Sequence, residues 1–218
     1  MYFCRRYSNM FTFLIGNYVS LLSLINPLGA IPVFLSLTAR HPPDWVKRQV
    51  SKTSINVFVI CIVSFLTGNA ILEFFGISIN ALKIAGGIVI ARSGFQLLNA
   101  THKKDIGRKI QEESLHKEDI SFTPLAMPLL SGPGSISFLI NLSIQTGHNL
   151  TPLLYVILAI VLCSISILAI LLLAPKILQI MGQAGLKAMS KIMGFIVLSI
   201  GIQLIISSIV SVLQASQH

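Results

Sequence analysis

Charge is scarce in this sequence: Asp, Glu, Lys and Arg make up 11% of its 218 residues, and only seven of them are acidic. Soluble domains carry about 25% charged residues, so most soluble folds are excluded. Cysteine is limited to Cys4, Cys61 and Cys163. They lie too far apart in sequence for a CxxC redox pair, a thiolate metal site or a disulfide scaffold, and read as packing residues. The five histidines, His41, His102, His116, His148 and His218, form no HExxH pattern, which removes the metalloprotease and zinc-hydrolase readings. What is abundant is apolar: 54% of residues are hydrophobic and the mean hydropathy is +0.82. Despite 15 Gly and 9 Pro, that balance excludes disorder and collagen. An integral membrane protein remains.

Uncharged runs bound the places where a helix of about 20 residues can cross roughly 30 Å of hydrocarbon. Between Arg6 and Arg40 lie 33 uncharged residues, between Lys52 and Glu73 another 20, between Asp119 and Lys176 another 56, and 27 follow Lys191. A further apolar stretch is interrupted only by Lys83 and Arg92. These runs predict six transmembrane helices near 11–38, 53–73, 79–100, 122–143, 152–174 and 189–211. Arg5 and Arg6 could open a secretory signal, but the apolar run after them is too long and lacks a small-residue cleavage site, so it is expected to stay as the first span.

Of the 16 Lys and Arg, 12 fall on one side of this arrangement: Arg40, Lys47, Arg48 and Lys52, then Lys103, Lys104, Arg108, Lys109 and Lys117, then Lys176, Lys187 and Lys191. The positive-inside rule makes that side cytoplasmic and puts both termini on the outer side of the membrane. The net charge of +9 then reflects topology, and no nucleic-acid partner is needed to explain it. The bilayer is the partner that the composition requires.

The chain reads as one membrane domain, 1–218, in two halves: a first repeat over 11–100, a charged cytoplasmic connector over 101–121 and a second repeat over 122–211. A shift of 106 superposes Asn26-Pro27 on Gly132-Pro133. A shift of 107 superposes Gly87, Gly94, Gln96 and Leu97 on Gly194, Gly201, Gln203 and Leu204. Three spans per repeat invert the second copy relative to the first. The expected fold is therefore all-α, with six transmembrane helices as two inverted three-helix repeats.

Spans one and four carry the helix breakers. The first contains Asn26-Pro27-Leu28-Gly29-Ala30-Ile31-Pro32, and the fourth contains Pro124, Pro128 and Ser131-Gly132-Pro133-Gly134-Ser135. Proline removes an amide donor and clashes with the preceding turn, so both spans should break near mid-depth. In hydrocarbon such a break must face protein or water. Asn before Pro is also a helix start, as is Ser131 or Gly132 before Pro133. In inverted repeats the two half-helices would start at one level, and their amides and dipole ends would favour a carboxylate or another anion. Asn26, Pro27, Gly29, Pro32, Pro128, Ser131, Gly132, Pro133, Gly134 and Ser135 are the candidate solute-binding residues. The competing reading is a pair of kinks that only shape packing.

Arg92, Gln96 and Gln203 are candidate pore-lining residues. Arg92 could instead snorkel toward the interface, and the glutamines could bond between helices. The glycines at 87, 94, 194 and 201 provide strips for close helix approach. No Asp or Glu lies inside a span, so the usual parts of a proton relay are missing, and Glu73 alone sits near a span end. No catalytic residue, cofactor or metal is expected.

The run Asn26 to Leu35, the run Pro124 to Ile136 and Ile84-Ala85-Gly86-Gly87-Ile88 together resemble the MarC family of bacterial inner-membrane proteins. The likeness extends over nearly the whole chain. It implies a six-helix membrane protein grouped with LysE-like exporters, and it implies no defined substrate. Two functions follow as expectations. One is a transporter or exporter of a small, anionic or amino-acid-like solute through a mid-depth site. The other is a non-transporting membrane component, such as an assembly factor or partner subunit.

Overall fold

The computed structural model describes residues 10–39, 41–99, 119–147 and 149–215, which form helices joined by short turns, with no strand among them. The connector expected over 101–121 lies outside the described residues except for its last three positions. In chain order the helices are α1 (Met10–Ile25), α2 (Pro27–Thr38), α3 (Pro43–Phe75) and α4 (Ile79–Leu98). A wide-turned segment, Ser121–Leu130, follows. Then come α5 (Pro133–Thr146), α6 (Leu150–Leu172) and α7 (Ala174–Ala215).

Among the described residues, five helical stretches are long and apolar enough to cross a membrane: Met10–Thr38, Pro43–Gly68, Ile79–Leu98, Leu150–Leu172 and Ala174–Gln214. The region expected as the fourth span is instead two short pieces, Ser121–Leu130 and Pro133–Thr146. Within the first piece Thr123 and Met127 are extended, with φ/ψ of −122/118 and −132/126. Each precedes a proline, whose ring pushes the preceding residue out of the helical region. The remaining turns widen, with Leu125 N bonding Ile120 O and Ser131 N bonding Ala126 O, five residues back.

The first break is narrower than the sequence suggests. It is confined to Asn26, while Pro32 lies inside α2. Within α7 the helix is interrupted at Gly182, whose φ/ψ of 62/178 is a conformation that glycine adopts readily, so a short helical piece from Ala174 precedes the long one that holds the expected last span.

Packing follows the small residues. The longest interface joins α4 to α7. A Cβ placed on Gly87 would lie 2.7 Å from Gly201 O, and one on Gly194 would lie 3.0 Å from Gly94 O. Rising positions on α4 therefore meet falling positions on α7, so the two helices are antiparallel and in backbone contact. The Ser208 hydroxyl extends this register by donating to Asn80 O at 2.9 Å. The helix α5 wedges between α3 and α4, with Ile140 against Gly68 and Ser137 against Gly86. On the other side, α1 packs on α6, α2 on α7, the 121–130 segment on α3, and α3 on α6. Polar bonds join some of these pairs: Tyr18 Oη to Ser166 Oγ at 2.8 Å, and Ser54 Oγ donating to Ser164 O at 2.7 Å.

Candidate functional site

Asn26 closes one helix and opens the next. Its backbone N–H donates to Leu22 O at 2.9 Å, ending α1, and its Oδ1 accepts from Gly29 N at 3.2 Å, capping α2. Pro27 takes the first helical position. This double duty places Asn26 at φ 46, ψ 61, and it is the only non-glycine residue with positive φ among those described. Asparagine tolerates this left-handed region better than other side chains. The cap uses only the amide oxygen. Asn26 Nδ2 has no hydrogen-bond partner, although the residue is only 6% exposed.

The second break is built from a different residue order. Gly132 caps α5 in an extended conformation, with φ −80 and ψ 173, and Pro133 takes the first helical position. Gly132 has no side chain to accept from the opening amides, and no other side chain caps this helix. Its carbonyl accepts from Ser135 Oγ at 2.9 Å. Ser131, just before it, is fully buried, and its hydroxyl has no partner. The Cys61 thiol of α3 is the polar group beside Ser131, a weak sulfur contact that leaves the hydroxyl without a full hydrogen bond. A buried polar group with no partner costs roughly 1–3 kcal/mol, so two such atoms at two helix starts need a reason.

The remaining candidates divide between inside and outside. Pro27, Gly29, Gly134 and Ser135 are buried, Gly132 and Pro32 are half-buried, and Pro133 is exposed. The side chain of Pro128 lies outside the described residues. Gly134 faces α4, and a Cβ there would touch Ile90 Cγ1 at 3.5 Å and Ser93 Oγ at 3.7 Å. Arg92, Gln96 and Gln203 are all exposed on α4 and α7. Arg92 is six residues from the end of α4. That is about 9 Å of rise at 1.5 Å per residue, a distance that suits a snorkelling side chain.

The half-helix α1 touches α5, and the half-helix α2 touches the 121–130 segment. The two broken elements are thus in direct contact. Neither α2 nor α5 has an acidic residue in its first turn, and no charged side chain is buried among the described residues. What the breaks offer is neutral: an amide donor, a hydroxyl and the positive ends of two helix dipoles. Sequence reasoning missed Asn141, 3% exposed, whose Oδ1 is a third unpartnered buried atom. An asparagine inside an apolar run was the available signal.

The family model described as "MarC family integral membrane protein" matches residues 11–213. The chain belongs to the MarC family. Its relatives include a UPF0056 membrane protein of Pyrococcus abyssi, 36% identical over 192 residues that cover 88% of this chain and 92% of that protein. A UPF0056 membrane protein of Buchnera aphidicola is 35% identical over 208 residues, covering 95% and 97%. The UPF0056 inner membrane protein MarC of Escherichia coli strain SMS-3-5 is 32% identical over 211 residues, covering 90% and 93%. No solved structure matches the chain. This MarC-family chain is an integral membrane protein with several apolar helices, as the family description and its own hydropathy agree.

Proposed function

We propose that this protein moves a small solute across the bacterial inner membrane through a site where the breaks at Asn26 and Ser131-Gly132 adjoin. It has both termini in the periplasm and acts without chemical conversion of the solute. The observation that carries this reading is the pair of buried polar atoms without a full hydrogen bond, Asn26 Nδ2 at the cap of α2 and Ser131 Oγ one residue before the cap of α5. Kinks that only shape packing would be expected to satisfy their polar groups, since an unpaired group is destabilising. Groups that exchange partners with a passing solute have a reason to stay open.

The inverted-repeat reading is supported by the pattern of contacts between the halves. Under the sequence shifts, α1 corresponds to the 121–130 segment, α2 to α5, α3 to α6 and α4 to α7. The packing of α1 on α6 then has its counterpart in the 121–130 segment on α3, and α2 on α7 has its counterpart in α5 on α4. The contact of Gly87 with Gly201 becomes that of Gly194 with Gly94. A pseudo-two-fold axis between α4 and α7 relates all of these pairs, and six spans follow if the two pieces of the fourth together cross the bilayer.

Flux in proteoliposomes across a panel of amino acids and small carboxylates tests the transport reading. A solute carried by the parent protein and lost in Asn26→Gly and Ser131→Ala supports it. No flux for any solute, with no water-soluble reagent reaching Ser131→Cys from either side, rejects it in favour of a non-transporting component. Reporter fusions at both ends test the orientation. A cytoplasmic amino terminus would overturn it.

A further inference from the structure

A second polar cluster lies where the 121–130 segment begins. Gln49, Lys52 and Asn56 occupy one face of α3, three and four residues apart, and each reaches across to the start of that segment. Gln49 Oε1 accepts from Ile120 N at 3.3 Å, Lys52 Nζ contacts Asp119 Oδ2 at 2.7 Å, and Asn56 Nδ2 donates to Ser121 Oγ at 3.3 Å. Between these elements is a cleft of about 510 Å³, lined by Lys52, Ile55, Asn56, Asp119, Ser121, Phe122 and Thr123. That volume suits a small organic molecule. Its lining combines the Lys52 cation, the Asp119 carboxylate paired with it, three neutral polar side chains and two apolar ones.

Both walls of the cleft lead to the second break. The 121–130 segment runs from Ser121 to the turn at Ser131, and α3 runs from Asn56 to Cys61, which lies beside Ser131. Thr123, extended because it precedes Pro124, keeps the near part of this wall out of regular helix.

The ion pair at the mouth is built for exchange. Asp119 Oδ1 accepts from Ser121 N at 2.9 Å and from Ser121 Oγ at 2.6 Å, so one carboxylate oxygen stays held whatever happens to the other. The Lys52 and Asp119 side chains are 57% and 48% exposed. A pair so exposed contributes little, and a lysine ammonium has three donors, so a second carboxylate can replace or join Asp119 at small cost.

We propose that this cleft is the cytoplasmic vestibule of the solute path, and that Lys52 docks the carboxylate of an incoming solute in exchange for Asp119. The vestibule rests on the transport reading above. The carboxylate site itself does not.

Thiol labelling tests both without knowledge of the natural solute. In a chain carrying Cys4→Ala, Cys61→Ala and Cys163→Ala, a charged, membrane-impermeant thiol reagent should modify Thr123→Cys from the cytoplasmic face of sealed vesicles and not from the other face. The rate should be about tenfold above that of Ile165→Cys on the exposed apolar face of α6, because the reactive thiolate forms only where water reaches it. Acetate should slow the reaction about twofold at half-occupancy, by mass action. Acetamide, of the same shape without the charge, should not. Lys52→Met should abolish the acetate effect and Lys52→Arg should keep it. Labelling of Thr123→Cys no faster than that of Ile165→Cys would overturn the vestibule. Fast labelling that acetate leaves unchanged would overturn the role of Lys52. Labelling of Ser131→Cys in the same vesicles judges the mid-depth path separately: if Thr123→Cys reacts with acetate protection and Ser131→Cys never does, the carboxylate site stands and the through-path falls.

Discussion

Two regions of this protein use small residues and helix breakers to opposite ends. Along the α4–α7 seam, glycines let two helical stretches press backbone to backbone, and a Cβ added at Gly87, Gly94, Gly194 or Gly201 would meet an atom of the facing helix at 2.7 Å or less. At the breaks, glycine, proline and asparagine interrupt helices and leave polar atoms unpaired in the interior. The seam therefore reads as the rigid part of the molecule, where any added atom collides. The breaks read as the part where added stability has been forgone, as expected where a partner comes and goes.

The largest effect should come from filling the seam. A Cβ on Gly201 would sit 2.5 Å from Ala91 N and 2.7 Å from Gly87 O, and one on Gly94 would collide with the Leu198 backbone. Gly201→Leu should leave no folded, monodisperse protein in detergent, and Gly201→Ala should lose about 1–3 kcal/mol as an overpacked site. By contrast Gly134→Ala, at the break, adds an atom in ordinary contact with Ile90 and should unfold close to the parent. Equal losses in thermal unfolding for Gly201→Ala and Gly134→Ala would erase the comparison.

Next in size is Asn26. Asn26→Ala removes the cap of α2, about 0.5–2 kcal/mol, and places an alanine in a left-handed conformation that adds about 1 kcal/mol or more. Asn26→Gly keeps that backbone and loses only the amide, so it should cost a few tenths of a kcal/mol in unfolding while abolishing flux. If Asn26→Gly transports as the parent does, the unpaired Nδ2 has no part in the path.

Ser131→Ala should be smaller and of opposite sign. Deleting a buried hydroxyl that has no partner removes a desolvation penalty, so the melting temperature should hold or rise while flux falls. A clear drop in melting temperature would mean that the hydroxyl has a structural partner.

The smallest effect belongs to the cleft. Lys52 and Ser121 bonding to Asp119 hold its carboxyl down to about 2. A depressed folded value gives stability that is present above the ordinary carboxylate range and is lost as pH falls through about 2. Asp119→Asn should therefore lower stability by no more than about 1 kcal/mol, with the same difference at every pH from about 5 to 8. A melting difference that closes between those values would place the carboxyl elsewhere in its titration.

The helix starts at Asn26-Pro27 and Gly132-Pro133 were legible because capping and proline preferences are local rules, fixed by a few neighbouring backbone groups. The limits of the breaks were less so. Pro32, which the sequence places in the first break, lies within α2, whereas the prolines of the 121–130 segment disrupt the residue before each of them. The polarity of Arg92, Gln96 and Gln203 marks them as pore candidates, and their exposure on α4 and α7 leaves that face open to a pore or to lipid headgroups alike. The Lys52 and Asp119 pair joins residues 67 positions apart, a separation over which no local pattern reports.

What the sequence by itself determined was the solvent and the grammar: scarce charge and long apolar runs require a bilayer, the asymmetry of Lys and Arg suggests a direction across it, and breakers mark where helices must stop. Tertiary structure decided which faces meet. The same Gly spacing could have faced lipid, yet it brings Gly87 to Gly201 and Gly94 to Gly194 because only there can two backbones approach without side chains between them. It also decided that Asn26 Nδ2 and Ser131 Oγ are buried without partners, since whether a polar atom is satisfied depends on every element packed around it.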